Sequence, residues 1–468
     1  MSWIAIDRLT ADGSTLECDL RPSRELRRFV TNTPFRVEYD RSIEAVPDGI
    51  LAIPVLANVC PVAWANGADV YVDEVDRTFA HALEDVKASL LELHDFLEGG
   101  TLYARRTIDP LENAPSAPVA DGAGDSTGAT DGSTTTTPAG PGATADGGSD
   151  SALLFTGGVD STYAYVSHRT ENPTLVSIRG WTITPDHADD EKWAHLCERV
   201  SSFAADHDLE TAFIETNALS ALDHAMLLAH YKRYVDGAWY SSVGHGLGLL
   251  GLCAPMAYTR GIEDLYVAAT HWEGIDLEWG SRPDIDDHVR WSGTQCHHDG
   301  YDRTRQERID AIADYVDSEA PTLELQTCNV RMDGNCGECE KCYRTAVGLR
   351  LAGLNPTAHG YPFADADYDR IRRSLEAGAW DLGEDERYMW ADIRNRVRET
   401  EPDSPRERAF FEWLLAADLE GLVADADPPL SHRVLRAGAR NTPTSVYNLA
   451  YPMMQGVQSR LRRIRPGQ

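Results

Sequence analysis

The run Leu153-Leu154-Phe155-Thr156-Gly157-Gly158-Val159-Asp160-Ser161-Thr162 constrains the fold most: an apolar strand breaks at two glycines and resumes as a helix start. The pattern alternates after it. Strands are expected at 152–156, 174–178, 211–215 and 264–269, and helices from 161, from about 189 to 206 and from about 220 to 235. Trp239 to Tyr258 is a further mixed apolar and glycine stretch. Parallel strands need crossovers that pass over a sheet face, so this alternation predicts an α/β fold with a parallel sheet covered on both sides.

The residues between strand and helix carry chemistry. Gly157 and Gly158 let the backbone approach a phosphate, and the helix start at Val159 supplies unpaired N–H groups reinforced by the helix dipole. Thr156, Ser161 and Thr162 add hydroxyls, and Asp160 can hold Mg²⁺ directly or through water. The Lys-Ser/Thr ending of a Walker A loop is missing, and so is the Gly-x-Gly-x-x-Gly dinucleotide fingerprint. Taken alone, the same residues also fit an ordinary tight turn with a polar cap.

Downstream lie Cys328, Cys336, Cys339 and Cys342, spaced C-x7-C-x2-C-x2-C. Four thiolates suit a tetrahedral Zn²⁺ site, with Gly334 and Gly337 helping the chain turn around the ion. All four ligands are Cys, so no position is left for water and the metal is expected to be structural; an iron–sulfur cluster is the alternative. Cys18, Cys60, Cys197, Cys253 and Cys296 are scattered and read as core or incidental thiols.

The chain is expected to divide into an α+β domain over 1–112, a spacer over 113–150, an α/β domain over 151–356 and a helical region over 357–468. In the first domain, strands are expected at 35–39, 50–57 and 68–72. A long helix follows, capped by Asp76, with Phe79, Leu83, Val86, Leu90, Leu93 and Leu97 on one stripe and Gly99-Gly100 at its end. The spacer is nearly all Ala, Gly, Ser, Thr, Asp and Pro, so it cannot bury enough apolar surface to offset its ordering and is expected to be disordered. The chain carries 75 acidic against 43 basic residues, a formal charge of −32, and its only lysines are Lys87, Lys192, Lys232 and Lys341. This points to a salt-adapted protein and disfavours an extensive nucleic-acid surface. The tail after Asp427 reverses sign, with Arg433, Arg436, Arg440, Arg460, Arg462, Arg463 and Arg465 and no acid. No apolar run suits a membrane span and Met1 to Asp7 lacks a secretory pattern, so a cytoplasmic location is expected.

Thr156-Gly157-Gly158-Val159-Asp160-Ser161 resembles the Ser-Gly-Gly-x-Asp-Ser signature of the PP-loop (N-type) ATP pyrophosphatases, with Thr for the first Ser. The resemblance covers roughly 150–350. Asn335-Cys336-Gly337-Glu338-Cys339-Glu340-Lys341-Cys342-Tyr343-Arg344-Thr345 is similar to the zinc segment of two branches: 7-cyano-7-deazaguanine synthase and the UDP-N-acetylmuramoyl-L-alanyl-L-glutamate epimerase type. The Glu-Lys-Cys-x-Arg-Thr ending, Trp279-Gly280-Ser281-Arg282-Pro283, Asp299-Gly300 with Arg305, and the large N-terminal part favour the second. The resemblance implies a HUP-like sheet domain that binds ATP and Mg²⁺ at 156–162 and adenylates a small-molecule or peptide carboxylate with loss of pyrophosphate. Epimerisation beside that carboxylate, or amide or nitrile formation, would follow. A zinc-stabilised scaffold without activity is the non-enzymatic alternative.

Asp160, Arg282 and Arg305 are the expected catalytic groups, the arginines as bidentate clamps for carboxylate or phosphate. For proton transfer, His245, His271, Glu273, Asp276, His297 and His298 lie near expected strand ends or loops; each reads more readily as a solvated or hydrogen-bonded side chain than as a base.

Overall fold

The computed structural model describes residues 1–109, 149–235, 237–380 and 382–419, with Gly438 and Val446. The spacer, apart from residues 149 and 150, and the arginine-rich tail lie outside the described residues.

Among the described residues, eleven strands form one sheet. They are β1 (Trp3–Asp12), β2 (Thr15–Pro22), β3 (Phe35–Tyr39), β4 (Asp69–Asp76), β5 (Leu102–Ile108), β6 (Ser151–Leu154), β7 (Thr174–Arg179), β8 (Thr211–Thr216), β9 (Asp264–Ala268), β10 (Arg290–Trp291) and β11 (Thr294–Asp299). The spatial order is β10-β11-β9-β6-β7-β8-β3-β2-β1-β4-β5. The run from β11 to β8 is parallel throughout, as is β1-β4-β5, while the joining pairs around β3 and β2 are antiparallel. The α/β class and the four strands expected after residue 150 are present.

The N-terminal strands extend this sheet through the antiparallel β3–β8 pair, in which Val37 lies opposite Thr216 and Tyr39 opposite Ile214. One apolar core accordingly runs from Ile4 and Phe35 through Val59 and Phe79 to Leu250 and Cys296. A second core lies under the Gly157 turn, joining Phe155, Val200, Ile312 and Leu349. A third joins Tyr343 of the helix Glu340–Leu351 to Trp390, Phe410 and Leu414 of the C-terminal helices. Those helices, Asp367–Glu376, Glu384–Val397 and Pro405–Ala416, agree with the helical reading of this region as far as the described residues reach. No helix among the described residues is long and apolar enough to cross a membrane.

The Ile50–Ala57 segment departs from expectation. It was expected as a strand, but the chain forms a short turn of helix at Asp48–Leu51 and a full helix at Ile53–Trp64. Every residue of that helix except Asn58 is buried, so its apolar residues mark no single face and period alone cannot separate it from a buried strand. Pro54, in the first turn, was the available helix signal. The β1–β2 hairpin went unseen because the β1 register shifts between Asp7 and Thr10, with Arg8 at φ 50, and the alternation breaks there.

The helix Arg77–Leu93 forms as expected, with the Asp76 side chain accepting from Phe79 N–H at 2.8 Å. It stops before Gly99-Gly100, because the chain turns extended at His94, whose ring Nε2 bonds Ser242 C=O at 2.7 Å. Asp76 is fully buried and also accepts from the Ser292 backbone and hydroxyl, so one carboxylate fixes both a helix start and the β10–β11 turn. Asp76→Ala is expected to lower the unfolding free energy by about 1–3 kcal/mol, through the lost cap and the stranded Ser292 donors. Urea unfolding in molar KCl measures this, and an unchanged midpoint would contradict it.

Candidate functional site

The order of the parallel strands locates a crevice. From β6 the chain lays β7 and β8 on one side, then crosses back to lay β9 and β11 on the other. The carboxyl ends of β6 and β9 therefore flank the point where strand order reverses, which is where open α/β sheets bind ligands. The Gly157 turn leaves β6 at this point.

In that turn Gly157 has φ +74, a conformation costly for residues with a Cβ, and Gly158 takes the cap position of the helix Val159–His168 without a side-chain cap bond. Thr156 is exposed, while the Ser161 hydroxyl accepts from Thr156 N–H at 3.3 Å. Val159 and Thr162 are 1 % exposed, and Thr162 Oγ1 has no hydrogen-bond partner. The side chains of 159 and 162 thus face the core, Gly157 is buried, and Thr156 is the exposed residue of the turn.

Asp160, in the first turn of that helix, meets two arginines. Arg305 Nη1 lies 3.0 and 2.8 Å from its two oxygens, and Arg308 Nη1 lies 2.8 Å from Oδ1. Burial pushes the carboxyl up, but Arg305 and Arg308 outweigh it and hold Asp160 below the usual carboxylate range. Both oxygens are engaged by guanidinium donors, so Asp160 does not present a free carboxylate to Mg²⁺. Lys341 stands close by; burial first, then Arg305, push its ammonium below the ordinary lysine range. The Asp160 locality thus has three cations to one carboxylate in a chain of net charge −32, an arrangement suited to an oxyanion such as phosphate.

The structure brings Asp160 and Arg305 together but leaves Arg282 elsewhere. Arg282 pairs with Asp284 at 3.0 Å, donates to Leu277 C=O and lines a small cavity with His271 and His298. Arg308, Lys341 and Arg344 were not picked out as site residues. Arg308 could have been read from its i+3 spacing to Arg305 on a helix capped by Thr304, and Lys341 from its rarity. Arg344 clamps Glu340, its Nε lying 2.7 Å from Oε1, and Trp390 Nε1 donates to the same oxygen at 2.8 Å. Asp385 and Glu386 complete this side. Burial and Asp385 push the Glu386 carboxyl up, while Asp385 is held low by His271 and Glu386 against its own burial. Nothing in the composition of 357–468 marks that pair.

The four cysteines converge, with their sulfurs all within 4.8 Å of one another and Cys336 and Cys342 Sγ 3.7 Å apart. Sulfurs about 2.3 Å from one tetrahedral ion stand about 3.8 Å apart, so the set could hold a single metal ion such as Zn²⁺. Backbone N–H groups of Arg331, Glu338 and Cys339 donate to the sulfurs, as thiolate ligands require. Gly337, at φ +66, packs so closely on Pro362 C=O that a Cβ would lie 2.8 Å from that oxygen. Asn335 ties the knuckle together through Thr327 and Cys328 N–H and the carbonyls of Leu325 and Gly360.

The knuckle also grips the crevice. Gln326 N–H donates to Gly157 C=O at 2.8 Å, and Arg199 bridges Met332 C=O and Thr156 C=O. Cys339 caps the helix Glu340–Leu351, which carries Lys341 and Arg344.

Of the six residues considered for proton transfer, His245, His271 and His298 converge beside this crevice. His297 pairs with Asp264 on the surface at 2.7 Å, and Glu273 and Asp276 are exposed. No family model, curated protein or solved structure matches this chain.

The metal prediction is specific. Elemental analysis is expected to return about one Zn²⁺ per chain, and Cys339→Ser to lose it. Because Gln326 is bonded to Gly157, losing the metal should also strip hydrogen-exchange protection from the Gln326 amide. Iron with sulfide, or full protection at Gln326 without metal, would contradict this.

Proposed function

We propose that the chain binds ATP at the Gly157–Ser161 turn and transfers the adenylyl group to a substrate carboxylate, releasing pyrophosphate. The observation that carries this reading is a helix start without a side-chain cap at the strand-order reversal, faced by Arg305, Arg308 and Lys341. The signature at 156–161 supports it through its resemblance to PP-loop ATP pyrophosphatases.

The chemistry follows from where charge develops. A carboxylate oxygen bonds to the α-phosphorus as the bond to the bridging β-phosphate oxygen breaks, and negative charge gathers on the departing pyrophosphate. Backbone N–H groups at the helix start, the Thr156 hydroxyl, Arg305 and Lys341 would hold that charge in a fixed, partly dry environment. Asp160 would set the direction of the two guanidinium groups. Mg²⁺ would arrive coordinated to the ATP phosphates, and Zn²⁺ in the cysteine knuckle would keep the turn in shape. The resulting acyl adenylate no longer carries carboxylate charge, so its neighbouring C–H is far more acidic. The finer reading is epimerisation at that carbon in a glutamate-type substrate, supported by the resemblance at 340–345 and 279–283. Amide or nitrile formation is the competing outcome.

Lys341→Met tests the cradle cleanly, because no side-chain hydrogen bond holds the ammonium and its removal strands no partner. Pyrophosphate release would be screened in molar KCl against glutamate, N-acyl glutamates, glutamyl dipeptides and deazapurine acids. The best carboxylate is expected to lose at least about 100-fold in Lys341→Met with the thermal midpoint kept. Turnover near the unsubstituted level would remove Lys341 from the site, and no release with any carboxylate would favour the scaffold reading. In deuterium oxide, the epimerase reading predicts label at the carbon beside the activated carboxylate. Ammonia-dependent AMP formation without label would select a ligase.

A further inference from the structure

Next to the phosphate crevice lies a compact group of polar side chains that phosphate binding does not use. His298 Nδ1 is 2.8 Å from Asp286 Oδ2, and the Ser281 hydroxyl donates to that same oxygen at 2.6 Å. Asp286 is fully buried and the His298 side chain is 2 % exposed. A carboxylate on Nδ1 fixes the imidazole tautomer and leaves Nε2 as the working nitrogen. His271 and His298 line one small cavity with Ser281, Tyr301, Trp279 and Arg282.

The cavity measures about 10 Å³, room for about one water-sized centre. His271 Nε2 is buried without a hydrogen-bond partner, with Asp385 Oδ2 at 3.9 Å, beyond hydrogen-bond reach. Trp279 Nε1, Tyr240 Oη and His245 Nδ1 are likewise buried without partners. Trp279 stands edge-on to His271 at 5.1 Å, between it and His245. Burial first, then the imidazoles of His298 and His271, push His245 down to about 4, so His245 is neutral and serves as packing. A structural core would leave few such donors and acceptors unmade. Of these, His271 Nε2 and Trp279 Nε1 belong to residues that line the cavity, where an entering group could complete them.

Arg308 connects this group to the crevice. Its Nη1 binds Asp160, while its Nη2 binds the carbonyls of His271 at 2.6 Å and Gly300 at 3.0 Å. Both histidines are thus within a few residues of a guanidinium that touches the proposed phosphate site. Arg282 also lines the cavity, with its Nε paired to Asp284 at 3.0 Å.

We propose that His298 and His271 are the two proton-transfer groups of this enzyme, with Asp286 as the positioning residue for His298. This rests on the adenylation reading. The C–H beside the activated carboxylate takes the small cavity that both rings line. His298 Nε2 removes the proton, and the C–H electron pair moves into an enolate on the acyl adenylate. The His271 imidazolium then returns a proton to the opposite face as the electrons collapse back onto carbon. Water afterwards attacks the acyl carbon and expels AMP, so the net change is inversion at carbon with ATP converted to AMP and pyrophosphate. In the reverse direction the two histidines exchange roles.

The test uses the full-length protein and the carboxylate with the highest pyrophosphate release, taken as each separate epimer in deuterium oxide. His298→Gln is expected to keep pyrophosphate release within about five-fold and to lose at least about 100-fold in solvent exchange from one epimer only. His271→Gln is expected to lose exchange from the other epimer. Asp286→Asn should lower kcat for exchange on the His298 side with KM unchanged. Should His298→Gln unfold, His271→Gln carries the same test with the epimers interchanged. Unchanged exchange in both variants would overturn the proposal, as would equal loss from both epimers or a parallel loss of pyrophosphate release. Pyrophosphate release without exchange in the unsubstituted protein would overturn both the proposal and the epimerase outcome while leaving adenylation standing.

Discussion

The buried guanidinium of Arg308 is the constraint on which the crevice depends. It is 1 % exposed and donates to Asp160, to the Ala269 and His271 carbonyls after β9, and to the Gly300 carbonyl after β11. A charge this deep persists only when paired and hydrogen-bonded, since its desolvation would otherwise far exceed the stability of a domain. Three chain segments from three strand ends are thereby fixed around one planar fork. The helix Val159–His168 and the Arg305–Ser318 helix must then pack with Asp160 facing Arg305 and Arg308. The Gly157 turn, through Asp160, and the histidine cavity, through the His271 carbonyl, both adjoin this anchor.

The cysteine knuckle holds the other rim. Its bonds to Gly157 and, through Arg199, to Thr156 make the turn's shape depend on four cysteines more than 170 residues away in sequence. The same knuckle starts the helix that presents Lys341 and Arg344. A metal ion held here would therefore act on the shape of the turn as well as on stability. The acid surplus fits this arrangement. At molar salt the Debye length is about 3 Å, so this acidic chain would repel an anionic ligand only at short range.

Legibility in the sequence followed the locality of each signal. The strand, glycine turn and helix at 153–162 were readable because turn chemistry is local, and the cysteine spacing because ligand identity is almost the whole of the site. Arg305 was expected as a clamp, and the structure sets it on Asp160. Arg282 is equivalent to it in the sequence, yet the fold pairs it with Asp284 and sends it to another wall. Asp385, Glu386 and the His298–Asp286 pair come together only through long-range packing, which no spacing encodes. The helix Ile53–Trp64 escaped for the opposite reason: it is apolar on all sides, so its period is invisible.

The account stands on the Gly157 turn being a pyrophosphate cradle, and equilibrium binding of α,β-methylene-ATP tests that most directly. The analogue cannot be cleaved between the α- and β-phosphates, so binding is read without turnover. In molar KCl with Mg²⁺, the account predicts one site per chain that inorganic pyrophosphate competes for. It also predicts that in Thr156→Val, which loses only a surface hydroxyl, the site weakens while the fold is kept. No binding, or binding indifferent to pyrophosphate, would contradict it.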